Sequence, residues 1–128
     1  MNTGDVLVID TAIEDSKVHE RAEMQSKNEK VNNFLIHTLL QLGLSKKDVE
    51  YSARWKNSRI EFFYTIKQDK EISFQSKKLL FNSGDQIIVA IAYKHNEDDL
   101  KTYLNLYFNK VSTILSKDKS QILALCKK

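Results

Sequence analysis

The sequence contains no proline, only three glycines and a single cysteine. With so few of these residues, the chain has few positions that force a sharp turn and no flexible Gly/Pro linker. One cysteine excludes a framework of intrachain disulfides and fits a reducing compartment, so we expect a cytoplasmic protein. No apolar run approaches the roughly 20 residues that a membrane-spanning helix needs, and the first residues lack the layout of a secretory signal. We therefore expect no membrane partner.

Motifs for catalysis, cofactors and metals are also missing. No glycine-flanked serine marks a nucleophile elbow, and the glycines are too far apart for a phosphate-binding loop. The three histidines, His19, His37 and His95, have no metal-ligand spacing with one another or with Cys126. The lysines that follow Cys126 would lower the pKa of its thiol. The sequence predicts no catalytic, cofactor-binding or metal-binding residue, and the enzyme alternative is limited to His95 or His37 as an acid or base.

Length and composition are ordinary for one globular domain spanning residues 1–128. The chain is 41% hydrophobic and 29% charged, which is enough for a core. The net charge of +3 is uneven, because residues 1–30 carry net −3 and residues 31–128 carry net +6. A basic excess of this size is compatible with nucleic acid, but strong nucleic-acid binders usually show a denser basic stripe.

The strongest pattern runs from Gln86 to Leu115 and changes its period part-way. Its first eight residues are almost wholly apolar and rich in β-branched side chains, which predicts a central strand. The residues predicted on one face of this strand are Ile87, Val89, Ile91 and Tyr93. Asn96 is then a typical N-cap, and apolar residues follow at steps of three and four. This predicts a second element, a helix over residues 97–116 that packs across the sheet.

Two further elements precede this stretch. Residues 26–43 have helical spacing, with a capping box at Ser26 and Glu29 and a left-handed C-cap at Gly43. Apolar residues then alternate with period two on both sides of the turn at residues 56–58, which predicts a β-hairpin. A third strand near Ile72 is either one bent strand or two short ones.

These elements predict an α+β fold. We expect a two-layer sandwich, in which a three- or four-stranded antiparallel meander sheet carries two amphipathic helices, about 26–43 and 97–116, on one face. Residues 26–117 would form the core. Residues 1–25 are predicted to be an arm or a polar helix, with a short edge strand as an alternative for their apolar run, and residues 118–128 a short C-terminal helix.

Basic side chains surround an indole at the turn of the predicted hairpin. Cations hold phosphates and an aromatic ring can stack on an unpaired base, so this turn is a candidate nucleic-acid site. The candidate residues are Arg54, Trp55, Lys56 and Arg59, extended by Lys46 and Lys47 if the loops meet. The simpler interpretation is a solvated turn in which Trp55 covers the core, and it is favoured because Trp55 shares a strand face with Val49 and Tyr51.

A helix-turn-helix is a second nucleic-acid hypothesis. Leu39–Trp55 contains the turn residues 42–45 between two apolar stretches, and residues 46–55 would then be the recognition helix. The match is partial, because Leu39 is bulky where a small residue is usual and Ser52 stands where an apolar anchor is expected. The strand interpretation of this segment is therefore favoured.

Protein binding is the remaining class and the one we favour. Phe63 and Ile88 are predicted on the sheet face opposite the helices, where exposed apolar groups attract a partner or a second copy of the chain. The alternative is that the N-terminal residues cover this face. We expect a small non-enzymatic binding or regulatory module that acts through protein–protein contacts, as a homodimer or with another protein, with nucleic-acid binding as the alternative function.

Overall fold

The computed structural model describes residue 2 and residues 4–128; Met1 and Thr3, which begin the predicted arm, lie outside the described residues. The chain is α+β, as predicted, and its described part contains three α-helices and eight antiparallel strands. In chain order these elements are β1 (Val6–Ala12), α1 (Val18–Ser26), α2 (Glu29–Leu42), β2 (Val49–Lys56), β3 (Arg59–Ile66), β4 (Lys70–Phe74), β5 (Lys77–Phe81), β6 (Gln86–Tyr93), α3 (Glu97–Asn105), β7 (Lys110–Leu115) and β8 (Gln121–Lys127).

The elements divide into two compact units. The central unit is Lys17–Tyr93, and the terminal unit combines the residues up to Ser16 with Lys94–Lys128. The central unit has a sheet of order β2-β3-β6 and a separate β4-β5 hairpin, and the terminal unit has a sheet of order β1-β8-β7. The expectation of a single domain stays a prediction, while the eight strands exceed the three or four of the predicted sheet.

The predicted hairpin is present, but the predicted meander is wrong. β2 and β3 pair along their whole length around Asn57 and Ser58, whose φ values of 51° and 55° give the turn that matches the twist of antiparallel strands. β4 then turns back on β5 at Gln75 and Ser76, which also have positive φ. β4 therefore does not join the sheet: β6 lies beside β3, and Ile72 of β4 is buried in the core cluster that includes residues of α2.

Helix α2 confirms one predicted end and corrects the other. Its N-cap is Asn28, whose side chain accepts hydrogen bonds from the amides of Lys30 and Val31, so the capping box predicted at Ser26 does not form. Ser26 instead closes the preceding helix α1. At the other end, Gly43 has φ +99°, and the amides of Gly43 and Leu44 donate to the carbonyls of Leu40 and Leu39. This is the Schellman arrangement that the glycine predicts.

Both helices of the central unit pack on the same face of the β2-β3-β6 sheet. Around α2 the buried cluster is Ile36, Leu39, Leu44, Val49, Tyr64, Ile66 and Ile72. Around α1 a smaller cluster joins Ala22 to Ala53 and Ile60, with Trp55 and Phe62 partly buried against it. The sheet therefore has one covered face, and its other face, which we call the distal face, points away from α1 and α2.

A β-bulge in β6 changes which side chains reach the distal face. Phe62 lies opposite Ala90 while Phe63 lies opposite Ile88, so Val89 is an extra residue in β6. Such an insertion shifts the alternation of side chains by one residue. The single face predicted for the whole strand is therefore wrong: Ile87 and Val89 pack on the core beside α2, whereas Ile91 and Tyr93 lie with Ile88 on the distal face.

The terminal unit is a three-stranded sheet with α3 on one face. β8 is the central strand, and its alternate residues Ile122, Ala124 and Cys126 are fully buried. They pack with Leu100 and Leu104 of α3 and with Ile13, which follows β1. Of the three forms proposed within residues 1–25, the structure has two: the apolar run is an edge strand, β1, and the polar segment after it contains the helix α1.

One helix prediction in the terminal unit is half right and another is wrong. The helix predicted over residues 97–116 begins at Glu97 with Asn96 as its N-cap, as expected, but it ends at Asn105, and residues 110–115 form strand β7. Residues 121–127, predicted as a short helix, form strand β8. Val111 and Leu115 are four residues apart, a spacing that satisfies both a helix face and a strand face. The β-branched residues between them favour a strand, and the pairing with β8 settles the choice.

Replacing Gly43 tests the Schellman end of α2. We expect Gly43→Ala to lower the free energy of unfolding by about 1–2 kcal/mol, since a side chain at this left-handed backbone position clashes with its own carbonyl. Gly43→Asn should lose less, because asparagine tolerates this conformation. Equilibrium unfolding in urea measures the change, with the exposed helix substitution Gln41→Ala as the control. Equal stability of Gly43→Ala and wild type would contradict this account.

Candidate functional site

The distal face of the β2-β3-β6 sheet is built around a buried carboxylate. Glu61 is the third residue of β3, the central strand of this sheet, and its side chain is only 1% exposed. Arg54 approaches from β2, with 2.8 Å between its Nε and Glu61 Oε2. Arg59 approaches along β3, with 2.6 Å between its Nη2 and Glu61 Oε1. One carboxylate therefore accepts hydrogen bonds from two guanidinium groups.

These contacts shift the ionisation of the cluster in a consistent direction. Hydrogen bonds from Arg59, and then from Arg54, lower the pKa of Glu61 against the opposing effect of burial. The hydrogen bond to Glu61 raises the pKa of Arg59. Glu61 is therefore a carboxylate at neutral pH, and one carboxylate beside two guanidinium groups gives the cluster a formal charge of +1.

The two arginines also cover aromatic rings of the distal face. The guanidinium carbon of Arg54 lies 4.5 Å from the centre of the Phe63 ring, and that of Arg59 lies 5.8 Å from the centre of the Tyr93 ring. Arg54 also donates to Gln86 Oε1 at 2.6 Å, and Arg59 donates to the Tyr93 hydroxyl at 3.2 Å. The centre of the distal face is thus held together by cation–π contacts and hydrogen bonds.

The two residues that the sequence predicts as partner-binding differ in how exposed they are. Phe63 and Ile88 lie opposite each other on the distal face. Phe63 is only 7% exposed, so the expectation that it is exposed is wrong, and the guanidinium of Arg54 lies over its ring. Ile88 is 46% exposed. Accessible apolar surface therefore lies along β6 and not at the centre of the face.

Strand β6 forms an uncharged edge of its sheet. Within Lys17–Tyr93, β6 pairs with β3 on one side and with no strand on the other. Its sequence from Gln86 to Tyr93 contains no charged residue and no proline. Ile91 and Tyr93 are 47% and 53% exposed, so together with Ile88 they form a row of accessible side chains on the distal face. We call Gln86, Ile88, Ile91 and Tyr93 the β6 row.

The other edge of the sheet, β2, has a different composition. It carries Glu50, Arg54 and Lys56, and charges on an edge strand oppose pairing with another strand. The charged edge and the uncharged edge flank the same sheet. The β6 edge lacks such charges, although its bulge is another feature that can oppose pairing.

The structure does not bring all the predicted nucleic-acid residues together. Arg54 and Arg59 lie on the distal face with Glu61, and Lys56 is exposed beside the turn. Trp55 lies on the opposite face, packed in the α1 cluster with its ring 6.1 Å from that of His19. The indole therefore does not join the arginines, and it contributes to the core as the simpler interpretation has it.

Lys46 and Lys47 are exposed at the other end of the hairpin. They lie in the turn before β2, whose eight residues span about 23 Å at the usual rise per residue.

The same segment excludes the predicted recognition helix, because residues 49–56 are a strand and residues 46–48 a single 3-10 turn. Asp48 ends this turn, and hydrogen bonds from Ser45 lower its pKa. The helix-turn-helix hypothesis is therefore wrong for this segment.

A small polar cavity lies between α2 and the start of the hairpin. It measures about 70 Å³ and its lining includes Asn32, Lys46, Tyr51 and Tyr64. The Tyr64 hydroxyl donates to Asn32, and burial raises the pKa of Tyr64 to about 12, so this phenol stays neutral at physiological pH. Sequence patterns did not indicate this group, because Asn32 and Tyr64 come from a helix and a strand that are 32 residues apart.

The remaining candidates for chemistry are the three histidines and the cysteine. Of the three histidines, His19 is on α1, His37 is on α2 and His95 follows β6, all exposed. Cys126 is fully buried, and burial raises the pKa of its thiol, which is opposite to the expected effect of the neighbouring lysines. Among the described residues, no three His, Cys, Asp or Glu side chains are grouped as metal ligands.

No protein-family model matches this chain, and the search of curated proteins found no match. No helix in the part of the chain that the structure describes is long and apolar enough to cross a membrane. The functional inference therefore depends on the surface of the chain itself.

Acid titration tests the role of the Glu61 cluster. The folded state lowers the pKa of Glu61, so its stabilising contribution is complete above the ordinary glutamate value of about 4.3 and is lost as pH falls through the lower folded value. We expect Glu61→Gln to flatten this loss of stability with acid. Urea unfolding from neutral to acidic pH measures it, and the exposed Glu50→Gln is the matched control. A Glu61→Gln variant with the wild-type pH dependence would refute this role.

Proposed function

We propose that this chain is a non-enzymatic protein-binding module that adds a partner strand to the edge of β6. The observation that carries the proposal is the contrast between the two edges of the central sheet. β2 carries three charged residues, whereas β6 carries none and presents the half-exposed side chains of Ile88, Ile91 and Tyr93. Soluble proteins usually protect an edge strand of this length, often with charged side chains or proline, so an edge strand that has neither is a candidate site for pairing.

Strand addition would use both parts of this surface. Backbone groups on the outer edge of β6 would supply hydrogen bonds to the partner strand, and the β6 row would supply contact with its side chains. Burying the exposed halves of Ile88 and Ile91 would contribute about 2 kcal/mol by the usual value for apolar area. Tyr93 adds an aromatic ring with a polar end, which suits an interface.

The Glu61 cluster supports the same function by fixing the surface next to β6. Arg54 bonds Gln86 and Arg59 bonds Tyr93, so both ends of the β6 row are held in place before a partner arrives. A surface that is ordered in advance loses less conformational entropy on binding. We infer that the arginines position the binding edge and do not themselves form the main contact.

Nucleic-acid binding has less support as an alternative. Both arginines already share the carboxylate of Glu61, and Trp55 lies on the other sheet face. Phosphate binding depends on basic charge that is available at the surface. The exposed Lys56 and the single net positive charge of the Glu61 cluster offer little basic charge for binding phosphates.

The proposal predicts that charge on the β6 row abolishes partner capture. We expect immobilised wild-type chain to retain a specific protein from an extract of its source cells, and the double variant Ile88→Lys/Ile91→Lys to lose it. Lysine at an edge opposes strand pairing and removes apolar contact. Quantitative mass spectrometry measures the captured proteins, and circular dichroism checks that the variant folds.

Phe34→Lys is the matched control, because Phe34 is 77% exposed on α2 and lies outside the β6 row. It should capture the same protein as the wild type. A partner that is retained equally by the wild type, the control and the β6 variant would contradict the proposal. Tight, salt-sensitive binding of wild type to DNA or RNA would favour the alternative function instead.

A further inference from the structure

We infer that the strand which pairs with β6 is the β6 of a second copy of the chain, in one defined register. The inference rests on the proposed function and adds to it the identity of the partner. In this register the two strands run antiparallel, with Ile88 of each copy opposite Ile91 of the other. The inference is carried by the positions of the distal-face residues on either side of the β6 bulge.

The β6 row is symmetric about the bulge. Its members, Gln86, Ile88, Ile91 and Tyr93, lie at equal distances in sequence from the midpoint between Val89 and Ala90. The remaining residues, Ile87, Val89, Ala90 and Ala92, face the helices and are symmetric about the same point. Reversing the strand therefore leaves its pattern of faces unchanged.

This symmetry allows two copies of β6 to pair in an antiparallel arrangement. An antiparallel pair is related by a twofold axis perpendicular to the sheet, which keeps each side chain on its own face. Residues that lie opposite each other must therefore share a face. In the full-length register of β6, Ile88 meets Ile91, Gln86 meets Tyr93, Ile87 meets Ala92 and Val89 meets Ala90, and every pair shares a face.

Other registers fail this requirement. Shifting the pairing by one or two residues in either direction places at least one distal-face residue opposite a residue that faces the helices. Without the bulge, the full-length register itself would fail, because an eight-residue strand with strict alternation has opposite faces at its two ends. The bulge thus creates the one full-length register that is self-complementary.

The side chains in this register are also compatible in chemistry. Two Ile88–Ile91 pairs would place four apolar side chains on the distal face, one pair on each side of the twofold axis. Outside them, the amide of Gln86 and the hydroxyl of Tyr93 from the other copy can hydrogen-bond to each other. No charged residue lies in the β6 row, so the paired edges bring no like charges into direct opposition.

Disulfide trapping tests both the partner and the register. Two single variants, Ile88→Cys and Ile91→Cys, are mixed and oxidised with the wild-type Cys126 retained, since that thiol is fully buried. Directly opposed residues have Cβ atoms about 5 Å apart, which a disulfide can bridge. Two copies of the same residue would be displaced by three positions, about 10 Å along the strand, which a disulfide cannot bridge.

We expect cross-linked dimer from the mixture and none from either variant alone. Cross-linking of Ile88→Cys alone would overturn the register. Before oxidation, sedimentation equilibrium should give twice the chain mass for the wild type and a single chain mass for Ile88→Lys/Ile91→Lys, with Phe34→Lys dimeric. A monomeric wild type with no cross-link would overturn self-pairing. If a different protein is still captured through β6 in that case, the proposed function stands without this inference.

Discussion

One extra residue in a strand determines which surface this protein presents. Val89 is inserted in β6 relative to β3, and the insertion moves Ile91 and Tyr93 from the core side of the sheet to the distal face. On the core side, Ala92 is partly buried against the cluster that Ala22 of α1 forms with Ala53 and Ile60. The distal face gains two large side chains next to Ile88. The position of the proposed binding edge follows from this insertion.

The Glu61 cluster explains why the edge and not the centre of the distal face is accessible. A carboxylate in the middle of a sheet is costly unless it is paired, and two arginines pair it here. To reach Glu61 and Gln86, Arg54 extends across Phe63 and covers it, while Arg59 reaches Tyr93. The same contacts therefore satisfy a buried charge, cover an aromatic ring and fix both ends of the β6 row. The apolar surface that remains exposed on this face lies along an uncharged edge.

Local patterns predicted the elements with strong local signals. The β2-β3 hairpin follows from alternating apolar residues, and the end of α2 follows from the φ preference of Gly43. The α+β class follows from the change between helical and strand periods. All of these signals come from residues close in sequence. Sequence could not predict the β6 bulge, because the bulge is defined by pairing with β3. It could not predict the strands β7 and β8 either, because apolar residues four positions apart fit both a helix and a strand. At the candidate site, the sequence analysis predicted correctly that Ile88 is exposed on the distal face, but it also predicted that Phe63 is exposed, and Phe63 is buried. The guanidinium of Arg54 lies over the buried Phe63 ring, and this contact comes from the neighbouring strand, so no spacing within β3 predicts it.

The central claim is that β6 pairs at its outer edge with another strand, and amide hydrogen exchange tests this most directly. In a strand with one partner, only the amides that point toward β3 are protected, while those that point outward exchange with solvent. The account predicts that the outward amides of Gln86–Tyr93 become protected as the concentration of the chain rises, and lose this protection in Ile88→Lys/Ile91→Lys. Outward amides that exchange rapidly at every concentration, in the wild type and the variant alike, would contradict pairing between copies. If they also stayed unprotected with a captured protein bound, strand addition at β6 would be wrong.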